Sequence, residues 1–441
     1  MLRVVRYAVA VATAVVVAAG LGYAIPGHPF YAMLAAVAVL ALGLSLSEPA
    51  LIPLLALPVL PSPARVSVLG VGLTVSDVAL AIASLSAFVA AYRGVDPPTR
   101  RILWLIALYQ FVTVFALLNN VYRANIVEWV HAGVLTAGGL LVGWTVGVRG
   151  FARHGVRLLV GMSAFLALGA LVLAARSYAG GDFGPIYPLW PYFMHKNLAG
   201  TVFALGAITC YVRPPWAGLT RWQAAIAFYV LAGALLATQS RQAMIGLALA
   251  IGIVAIGRHP EARRSRIALI IAAVLLVVAW VMVRDQLRSG DRFNSINTRT
   301  DFYTEALAVW RDHPWIGAGL RWWYTDRYPV SFQPPNAELE VLTTVGVVGL
   351  IAFLIHIIGT WLVLRRLEAT YALLALMVLL VRLTQSQFDI YWVSVQASLP
   401  FVLIGLSLGA RAHDQNEVPW LRDIHHGSRS ARPRRPAEVS G

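Results

Sequence analysis

A chain of 441 residues with 12% charged and 59% hydrophobic residues differs from a soluble domain, which typically has about 25% charged residues. Runs of roughly 20 apolar residues recur, the length that crosses about 30 Å of hydrocarbon. They lack the alternation of apolar and polar residues that membrane β-strands show. We therefore predict an all-α polytopic membrane protein with about 12–14 transmembrane helices.

The predicted spans have boundaries that are good to a few residues. The third is short and is expected to be re-entrant or merged with its neighbour. In chain order the spans are 4–24, 30–47, 49–60, 75–92, 102–119, 127–147, 157–175, 195–212, 222–238, 242–257, 267–283, 338–364, 371–384 and 392–410.

Arginines orient these spans, because they cluster in every second gap. Short loops rich in Lys and Arg stay in the cytoplasm, so these gaps and both chain termini are predicted to be cytoplasmic. The same rule accounts for the net charge of +15, so the lipid bilayer is an expected partner and nucleic acid is not. The clusters lie at 93–101, 149–157, 213–221, 258–266 and 365–366.

The longest polar interval, 284–336, is predicted to lie outside the membrane. Long loops are usually functional or disordered, and this one is too rich in Trp and Tyr for a solvated linker. Phe302, Ala306 and Trp310 recur at four-residue spacing, which predicts an interfacial amphipathic helix over 300–310. The predicted organisation is an N-terminal transmembrane bundle 1–283, an extracytoplasmic loop 284–336, C-terminal transmembrane helices 337–410 and a basic, disordered cytoplasmic tail 411–441.

Two arginines are candidates for binding an anion at the outer face. Arg241 lies between two spans that have no real loop between them, and Arg299 opens the predicted loop helix, where a cation opposes the helix dipole. Together they could hold a diphosphate through bidentate hydrogen bonds. A snorkelling anchor is the alternative for Arg241, and plain surface solvation is the alternative for Arg299.

Two more cationic candidates lie in the sequence MHKNLAG at 194–200. Lys196 is the only lysine in the chain, and His195 precedes it at the outer start of a span. They predict a cationic lining of an outward-facing cavity, with an ordinary polar helix start as the alternative.

Several ionisable residues near membrane depth could have either a functional or a structural role. Asp77 begins a span and is predicted to cap its helix. Glu128, Arg382 and Asp389 are functional candidates by position, although Arg382 and Asp389 equally suit a structural ion pair. The single cysteine, Cys210, excludes an intramolecular disulfide and a cysteine metal cage.

Several motifs follow one another in a specific order. SDVALAI and HKNLAG come first, and TQSRQAMIGLALA follows. Then come the arginine-led helix RTDFYTEALAVWRDHPWIGAGL and the span opening NAELEVLTTVGVVGL, which with TQSRQAMIGLALA are the most specific. This order resembles the O-antigen ligase/polymerase superfamily of bacterial envelope polysaccharide enzymes. The likeness in topology covers essentially the whole chain, whereas its motifs lie in the middle and last thirds.

The resemblance implies an inverting glycosyl transfer, without metal or cofactor, on the outer face of the bacterial inner membrane. The implied donor is a polyprenyl-diphosphate-linked glycan, and the acceptor is a sugar hydroxyl of a glycan or glycolipid. The arginine of the family's Ser-Arg motif matches Arg241, and the arginine opening its loop helix matches Arg299. Both are expected to hold the diphosphate with His195 and Lys196, since fixed cations neutralise charge that develops on a leaving group.

One position departs from the family pattern. Ligases of this family carry His-Asn at the end of the loop, where the histidine is expected to activate the acceptor hydroxyl, but here Pro335 precedes Asn336. Proline cannot act as a base. Glu338, beside Asn336, is the carboxylate candidate for a general base, and His313 and His195 are the others. An ordinary acidic residue at a helix start is the alternative interpretation of Glu338.

Two other functions stay open from the sequence. Many spans with intramembrane charges also suit a transporter or flippase, although the long outer loop favours chemistry at one face. The proline in place of the histidine makes a non-catalytic relative of the family the other alternative.

Overall fold

The structure is a computed structural model that describes residues 43, 48–68, 71–257, 266–288, 295–325, 327, 328 and 332–418. Within these ranges the side chains of 66–68, 71, 72, 266, 286, 287 and 295–300 are left undescribed. The predicted spans 4–24 and 30–47, and the tail from 419 onward, lie outside the described residues.

The described chain is almost entirely helical, as predicted, with one short hairpin of β1 (Arg65–Val68) and β2 (Val71–Thr74). Single 3-10 turns lie at Pro215–Ala217 and Trp322–Tyr324. The helices are α1 (Leu51–Ala56), α2 (Val75–Ala91), α3 (Pro97–Asn119), α4 (Arg123–Gly133), α5 (Gly139–Val146), α6 (Ala152–Ala179), α7 (Lys196–Val212), α8 (Arg221–Thr238), α9 (Arg241–Ile256), α10 (Arg266–Arg288), α11 (Ser295–Asp312), α12 (Ala337–Leu364), α13 (Ala369–Ser386) and α14 (Ser394–Asp414).

Seven helical stretches in the described part are long and apolar enough to cross a membrane. One of them, Arg123–Ala179, runs through the π-helical turns Val134–Gly138 and Gly147–Phe151. The chain turns back at Gly150, whose φ of 81° is readily adopted by glycine, so this stretch makes two passes. The predicted boundaries of the described spans differ from the observed ones by up to five residues, as at the start of α3, predicted at 102 and found at 97.

Contacts between residues place the connections between helices at two opposite ends of the bundle. At the end where α14 finishes, which we call the tail end, Arg149 is paired with Glu48 at 2.7 Å and Arg157 donates to the carbonyl of Gly218. At the other end, which we call the loop end, the Ile186 amide donates to the Ala237 carbonyl at 3.0 Å. In the described part of the chain, these arginine-rich gaps and the gap without clustered arginines therefore lie at opposite ends.

The last helix, α14, lies at the centre of the bundle, since 94% of its most apolar stretch is buried. Glycines let it approach α5 closely. A Cβ atom on Gly143 would lie 2.0 Å from the Val402 carbonyl oxygen, and one on Gly409 would lie 2.3 Å from that of Trp144. Small residues allow such close backbone contact between helices in lipid. This packing fixes the position of residues 387–393, which lead into α14 at the loop end.

Helix α12 is broken at Gly346, whose backbone (φ 71°, ψ −169°) lies in a region that is essentially restricted to glycine. The loop segment 314–319 occupies the break. Two amides of α12 donate to this segment and two carbonyls of α12 accept from it, at 2.9–3.3 Å: Val347 to Pro314, Val348 to Trp315, Ala318 to Thr343 and Gly319 to Thr344. Unpaired backbone groups are costly at membrane depth, so the loop supplies the hydrogen bonds that the break removes from the helix.

A second set of contacts ties the loop to the corner between α3 and α4. The Asn125 side chain accepts from the Leu320 amide at 2.9 Å and donates to the Asn120 carbonyl at 2.6 Å. Tyr122 donates to the Leu320 carbonyl, and Arg327 donates to the Asn120 side chain at 3.0 Å. The loop is therefore held on both sides.

The predicted loop helix is present as α11, although it begins at Ser295 rather than at 300. Ala306 and Val309 on one of its faces are buried, and the ring of Phe302 stacks on that of Phe332 with 3.6 Å between centroids. The helix ends at Asp312, just before the segment HPWIGAGL.

Replacing Gly346 with alanine is expected to destabilise the protein strongly. The new Cβ would lie 2.3 Å from the Trp315 carbonyl group. The backbone strain costs about 1–3 kcal/mol, and the overpacking adds about 1–3 kcal/mol. Thermal unfolding of the purified protein in detergent measures the loss. The matched control is Gly252→Ala in α9, where a Cβ meets nothing within 4 Å and stability should be unchanged or slightly higher. Equal unfolding temperatures for the two variants would contradict the described contact.

Candidate functional site

The connection between α13 and α14, residues 387–393, lies in the middle of the loop end, and we call it the central connection. Its residues contact the starts of several helices. Gln387 contacts α12, Asp389 contacts α9 and α14, and the Trp392 ring stacks on that of Tyr109 in α3 at 5.7 Å between centroids. The geometry of the loop end is therefore organised around this connection.

The carboxylate of Asp389 joins three helices. Its Oδ2 accepts from the side-chain amide of Gln242 at 3.1 Å and from that of Gln396 at 3.3 Å. Gln396 also donates to the Thr201 hydroxyl at 3.1 Å. The two glutamines are 5% and 3% exposed, so Asp389 satisfies amides that have little access to water. This arrangement holds the starts of α7, α9 and α14 together.

Three of the predicted cationic residues lie at the starts of two neighbouring helices. His195 is the N-cap of α7, Lys196 is its first residue, and Arg241 is the first residue of α9. The two helices approach closely here, because a Cβ atom on Gly200 would lie 2.5 Å from that of Ser240. Both helices direct the positive ends of their dipoles to the loop end, which favours an anion there.

Electrostatic interactions connect His195 and Lys196 with the central connection. Burial lowers the pKa of His195 below its ordinary value, while the nearby Asp389 carboxylate opposes this shift and Lys196 adds to it. His195, Lys196 and Asp389 are therefore close enough to interact. Arg241 adjoins Gln242, which itself binds Asp389.

Gln387 joins the predicted acceptor-side residues. Its side-chain amide donates to Glu338 Oε1 at 2.8 Å, and its carbonyl accepts from Asn336 Nδ2 at 3.3 Å. Asn336 is the N-cap of α12 and accepts from the Leu339 amide at 2.9 Å. The other carboxylate oxygen of Glu338, Oε2, is buried and has no hydrogen-bond partner among the described residues. One oxygen of Glu338 is thus held in place and the other is left for a further donor.

The two groups of predicted residues meet on this connection. Gln387 and Asp389 are two residues apart, and two residues of chain span at most about 7 Å. The Cα atoms of the two residues that contact Glu338 and Gln242 therefore lie within about 7 Å of each other.

Two predicted site residues are not joined to this cluster by the described contacts. Arg299 lies in the second turn of α11, and its side chain is outside the described part of the chain. The His313 ring packs edge-on against that of Tyr328 at 6.3 Å between centroids, and the next residues fill the break at Gly346. This break lies about 12 Å along α12 from Glu338, so the structure separates His313 from the start of that helix.

A cavity of about 730 Å³ adjoins the central connection, and we call it the Asp77 cavity. Its lining combines charged groups, polar groups and aromatic rings from five parts of the chain. The charged and titratable members are Arg65, Asp77, Arg123, His131 and Arg321, and the others include Tyr324, Gln333, Trp392 and Ser394.

Hydrogen bonds and ion pairs link the charged groups along one wall of this cavity. His131 Nε2 lies 3.1 Å from Asp77 Oδ1, and His131 Nδ1 lies 3.3 Å from Glu128 Oε2. Glu128 also pairs with Arg321 of the loop. Both ring nitrogens of His131 face carboxylates, an arrangement that suits the imidazolium form, in which both donate.

Two structural roles differ from the sequence-based expectation. Asp77 caps α2 from the third helical position, while Thr74 is the N-cap residue. Arg382 donates to the carbonyls of Ile390 and Tyr391, whereas Asp389 accepts from glutamines. In the described part of the chain, Arg382 and Asp389 form no ion pair, and the described contacts of each are with other residues.

Sequence reasoning missed Gln387 and most of the Asp77 cavity. The run QSQFDIYW at 385–392 was a usable signal, because it is polar and aromatic between two apolar spans. The cavity residues gave no such signal. Arg65, Arg123 and Arg321 are far apart in the sequence, and only the packing of β1, α4 and the loop brings them to one cavity.

The chain matches one family model. Residues 226–354 match the model described as O-Antigen ligase. The matched segment runs from α8 into α12 and contains Arg241, Arg299, His313, Asn336 and Glu338. No curated protein matches the chain.

Replacing Asp389 with alanine is expected to destabilise the loop end by about 1–3 kcal/mol, because two buried glutamine amides lose their acceptor. A lowered thermal unfolding temperature of the purified protein measures this. The matched control is Asp285→Ala, which removes a carboxylate paired at 3.3 Å with Arg284 at the surface. Exposed pairs contribute little, so the control should unfold like the wild type. An Asp389→Ala variant as stable as this control would argue against the described hydrogen bonds.

Proposed function

We propose that this membrane protein, whose segment 226–354 matches the O-antigen ligase model, is an enzyme with a specific reaction. It transfers a glycan from a polyprenyl-diphosphate carrier to a sugar hydroxyl, as a ligase or polymerase of a surface polysaccharide. The observation that carries this proposal is the position of Lys196, His195 and Arg241 at the starts of α7 and α9. These cations and the positive ends of the α7 and α9 dipoles lie at the loop end of the membrane bundle.

The diphosphate of the donor binds at the starts of α7 and α9. Arg241 offers a planar guanidinium that binds phosphate in a bidentate manner, and Lys196 and the backbone amides of both helix starts add further donors. Arg299 of α11 is the proposed second guanidinium. These fixed groups stabilise the charge that develops on the leaving diphosphate without requiring Mg²⁺.

An apolar cleft supports the lipid part of this donor. A cleft of about 550 Å³ lies between α6, α8 and α10 and is lined by Leu171, Leu236, Val278, Met282 and Gln239, among others. Gln239 lies two residues before Arg241. A polyprenyl chain in this cleft would thus end close to the proposed diphosphate site.

Glu338 is the general base on the acceptor side. Its Oε1 is held by Gln387, and its Oε2 is free of hydrogen bonds among the described residues. Oε2 takes the proton of the acceptor hydroxyl. The hydroxyl oxygen of the acceptor at the same time attacks the anomeric carbon of the donor. The bond between the anomeric carbon and the diphosphate oxygen breaks on the opposite side, which inverts the configuration and releases polyprenyl diphosphate. Asn336 orients the start of α12, and His313 has no contact that supports a role at this step.

The loop end faces the outside of the bacterial inner membrane in this proposal. The arginine-rich gaps collect at the tail end, as the contacts of Arg149 and Arg157 illustrate, and such gaps are retained in the cytoplasm. The described C-terminal segment then lies inside, and the reaction takes place on the extracytoplasmic face.

Replacing Arg241 with alanine is expected to reduce release of polyprenyl diphosphate by at least about 100-fold, the effect of removing one donor to a developing negative charge. The assay supplies purified protein with a polyprenyl-diphosphate glycan and an acceptor. Arg241→Lys keeps the charge but loses the bidentate geometry, so its activity should be intermediate.

The control for this experiment is Arg176→Gln, an exposed arginine at the end of α6, which should act like the wild type. Full release by Arg241→Ala, or movement of the glycan across the membrane without bond cleavage, would reject the proposed reaction.

Replacing Glu338 with glutamine is expected to lower transfer by about 10²–10⁴-fold while donor binding is retained. The amide oxygen still accepts from Gln387, but the side chain no longer takes a proton. Single-turnover transfer and donor binding are measured on the same preparation, with the exposed Glu305→Gln of α11 as control. Wild-type transfer by the Glu338→Gln variant would remove Glu338 from the mechanism.

A further inference from the structure

The Asp77 cavity lies at the loop end but does not include the proposed diphosphate site. None of His195, Lys196, Arg241 or Gln242 is in its lining. It reaches the central connection at Ile390, Trp392 and Val393, whereas Gln242 reaches the same connection at Asp389. The two sites therefore meet at this connection and stay distinct.

Cations outnumber carboxylates in this cavity. Among the described residues, Arg65, Arg123 and Arg321 line it together with one carboxylate, Asp77. Glu128 lies behind the wall and is shared by Arg321 and His131. The electrostatic field inside a partly enclosed space with these walls attracts anions.

The cavity also has features that suit a sugar. Its volume of about 730 Å³ lies within the usual range for small-molecule sites, about 300–1,000 Å³. The rings of Tyr324 and Trp392 in its lining offer flat apolar surfaces, and Gln333 and Ser394 offer polar groups. A charged glycan would find both kinds of contact.

The backbone at Arg321 supports a binding role for this residue. Arg321 has a φ of 55°, a left-handed conformation that is unfavourable for a residue with a side chain. The ion pair with Glu128 and a cation–π contact with Tyr324 at 5.8 Å hold it at the cavity. Strain of this kind tends to be retained at functional sites.

We propose that the Asp77 cavity is the acceptor subsite and selects a glycan that carries carboxylate or phosphate groups. This inference rests on the proposed function, since it takes the donor to bind at the starts of α7 and α9. The cavity lining includes Gln333, whose side chain donates to Glu340 at 2.7 Å, two residues after the proposed base. The cavity therefore lies beside the first turn of α12, which contains the proposed base.

The test measures binding of two tetrasaccharides to the full-length protein in nanodiscs of uncharged lipid. One is a tetramer of galacturonic acid, and the other is its carboxyl-reduced, neutral counterpart. The acidic tetramer should bind at least about tenfold more tightly, which corresponds to about 1.4 kcal/mol. This preference should weaken as the salt concentration rises.

Single-residue variants test whether the acidic tetramer binds in the Asp77 cavity. Arg65→Gln and Arg123→Gln should each weaken binding of the acidic tetramer about tenfold and leave the neutral one unaffected. Arg176→Gln, at the same end but outside the cavity, is the matched control, and thermal unfolding checks that each variant is folded. Arg241→Ala should keep the preference for the acidic tetramer. A phosphorylated tetrasaccharide measured in parallel shows which of the two anionic groups the cavity takes.

Equal affinity for the neutral tetramer and for both anionic tetrasaccharides would overturn the inference, as would anionic binding that is insensitive to Arg65→Gln and Arg123→Gln. Loss of acidic binding in Arg241→Ala would also overturn it, because the anion would then occupy the proposed diphosphate site. These binding measurements use no donor. An Arg241-dependent release of polyprenyl diphosphate without acidic selectivity would thus reject this inference and leave the proposed function standing.

Discussion

Four main-chain hydrogen bonds between the broken helix α12 and residues 314–319 of the loop determine the geometry of the loop end. A break at Gly346 leaves two amides and two carbonyls without partners in the helix, and such groups cannot remain unpaired at membrane depth. The loop satisfies them, and in return its backbone is fixed in space. Gly317 and Gly346 make this possible, because a Cβ on either would lie 2.3 Å from the other segment. The position of Arg321 at the Asp77 cavity follows from this attachment, since it comes only two residues after the last of the paired loop residues.

The start of α12 is fixed separately, by the central connection. Gln387 binds Asn336 and Glu338, and Asp389 binds the glutamines at the starts of α9 and α14. The connection is itself held by the burial of α14 in the middle of the bundle. The proposed base on one side and the proposed diphosphate-binding cations on the other are therefore supported by the rigid helices rather than by the loop. This division suits a transfer reaction, in which the acceptor hydroxyl and the leaving diphosphate need to be on opposite sides of one carbon atom.

The spans could be predicted from the sequence because a run of about 20 apolar residues is a local property. The loop helix was predictable for the same reason, from the spacing of Phe302, Ala306 and Trp310. The break in α12 was not, since a glycine inside an apolar run is common in membrane helices and only the partner segment reveals the break. Arg382 and Asp389 suggested an ion pair because they are close in sequence, yet each found nearer partners in the fold. The Asp77 cavity depends on contacts between α2, α4 and the loop, which no local pattern encodes.

The position of the donor is the central claim, and the most direct measurement is a cryo-electron microscopy map of the full-length protein in nanodiscs with a polyprenyl-diphosphate glycan and no acceptor. The account predicts density for the two phosphates within hydrogen-bond distance of the Arg241 side chain, between the starts of α7 and α9, with the lipid chain in the cleft lined by Leu171 and Leu236. Phosphate density inside the Asp77 cavity, or at the tail end of the bundle, would contradict it.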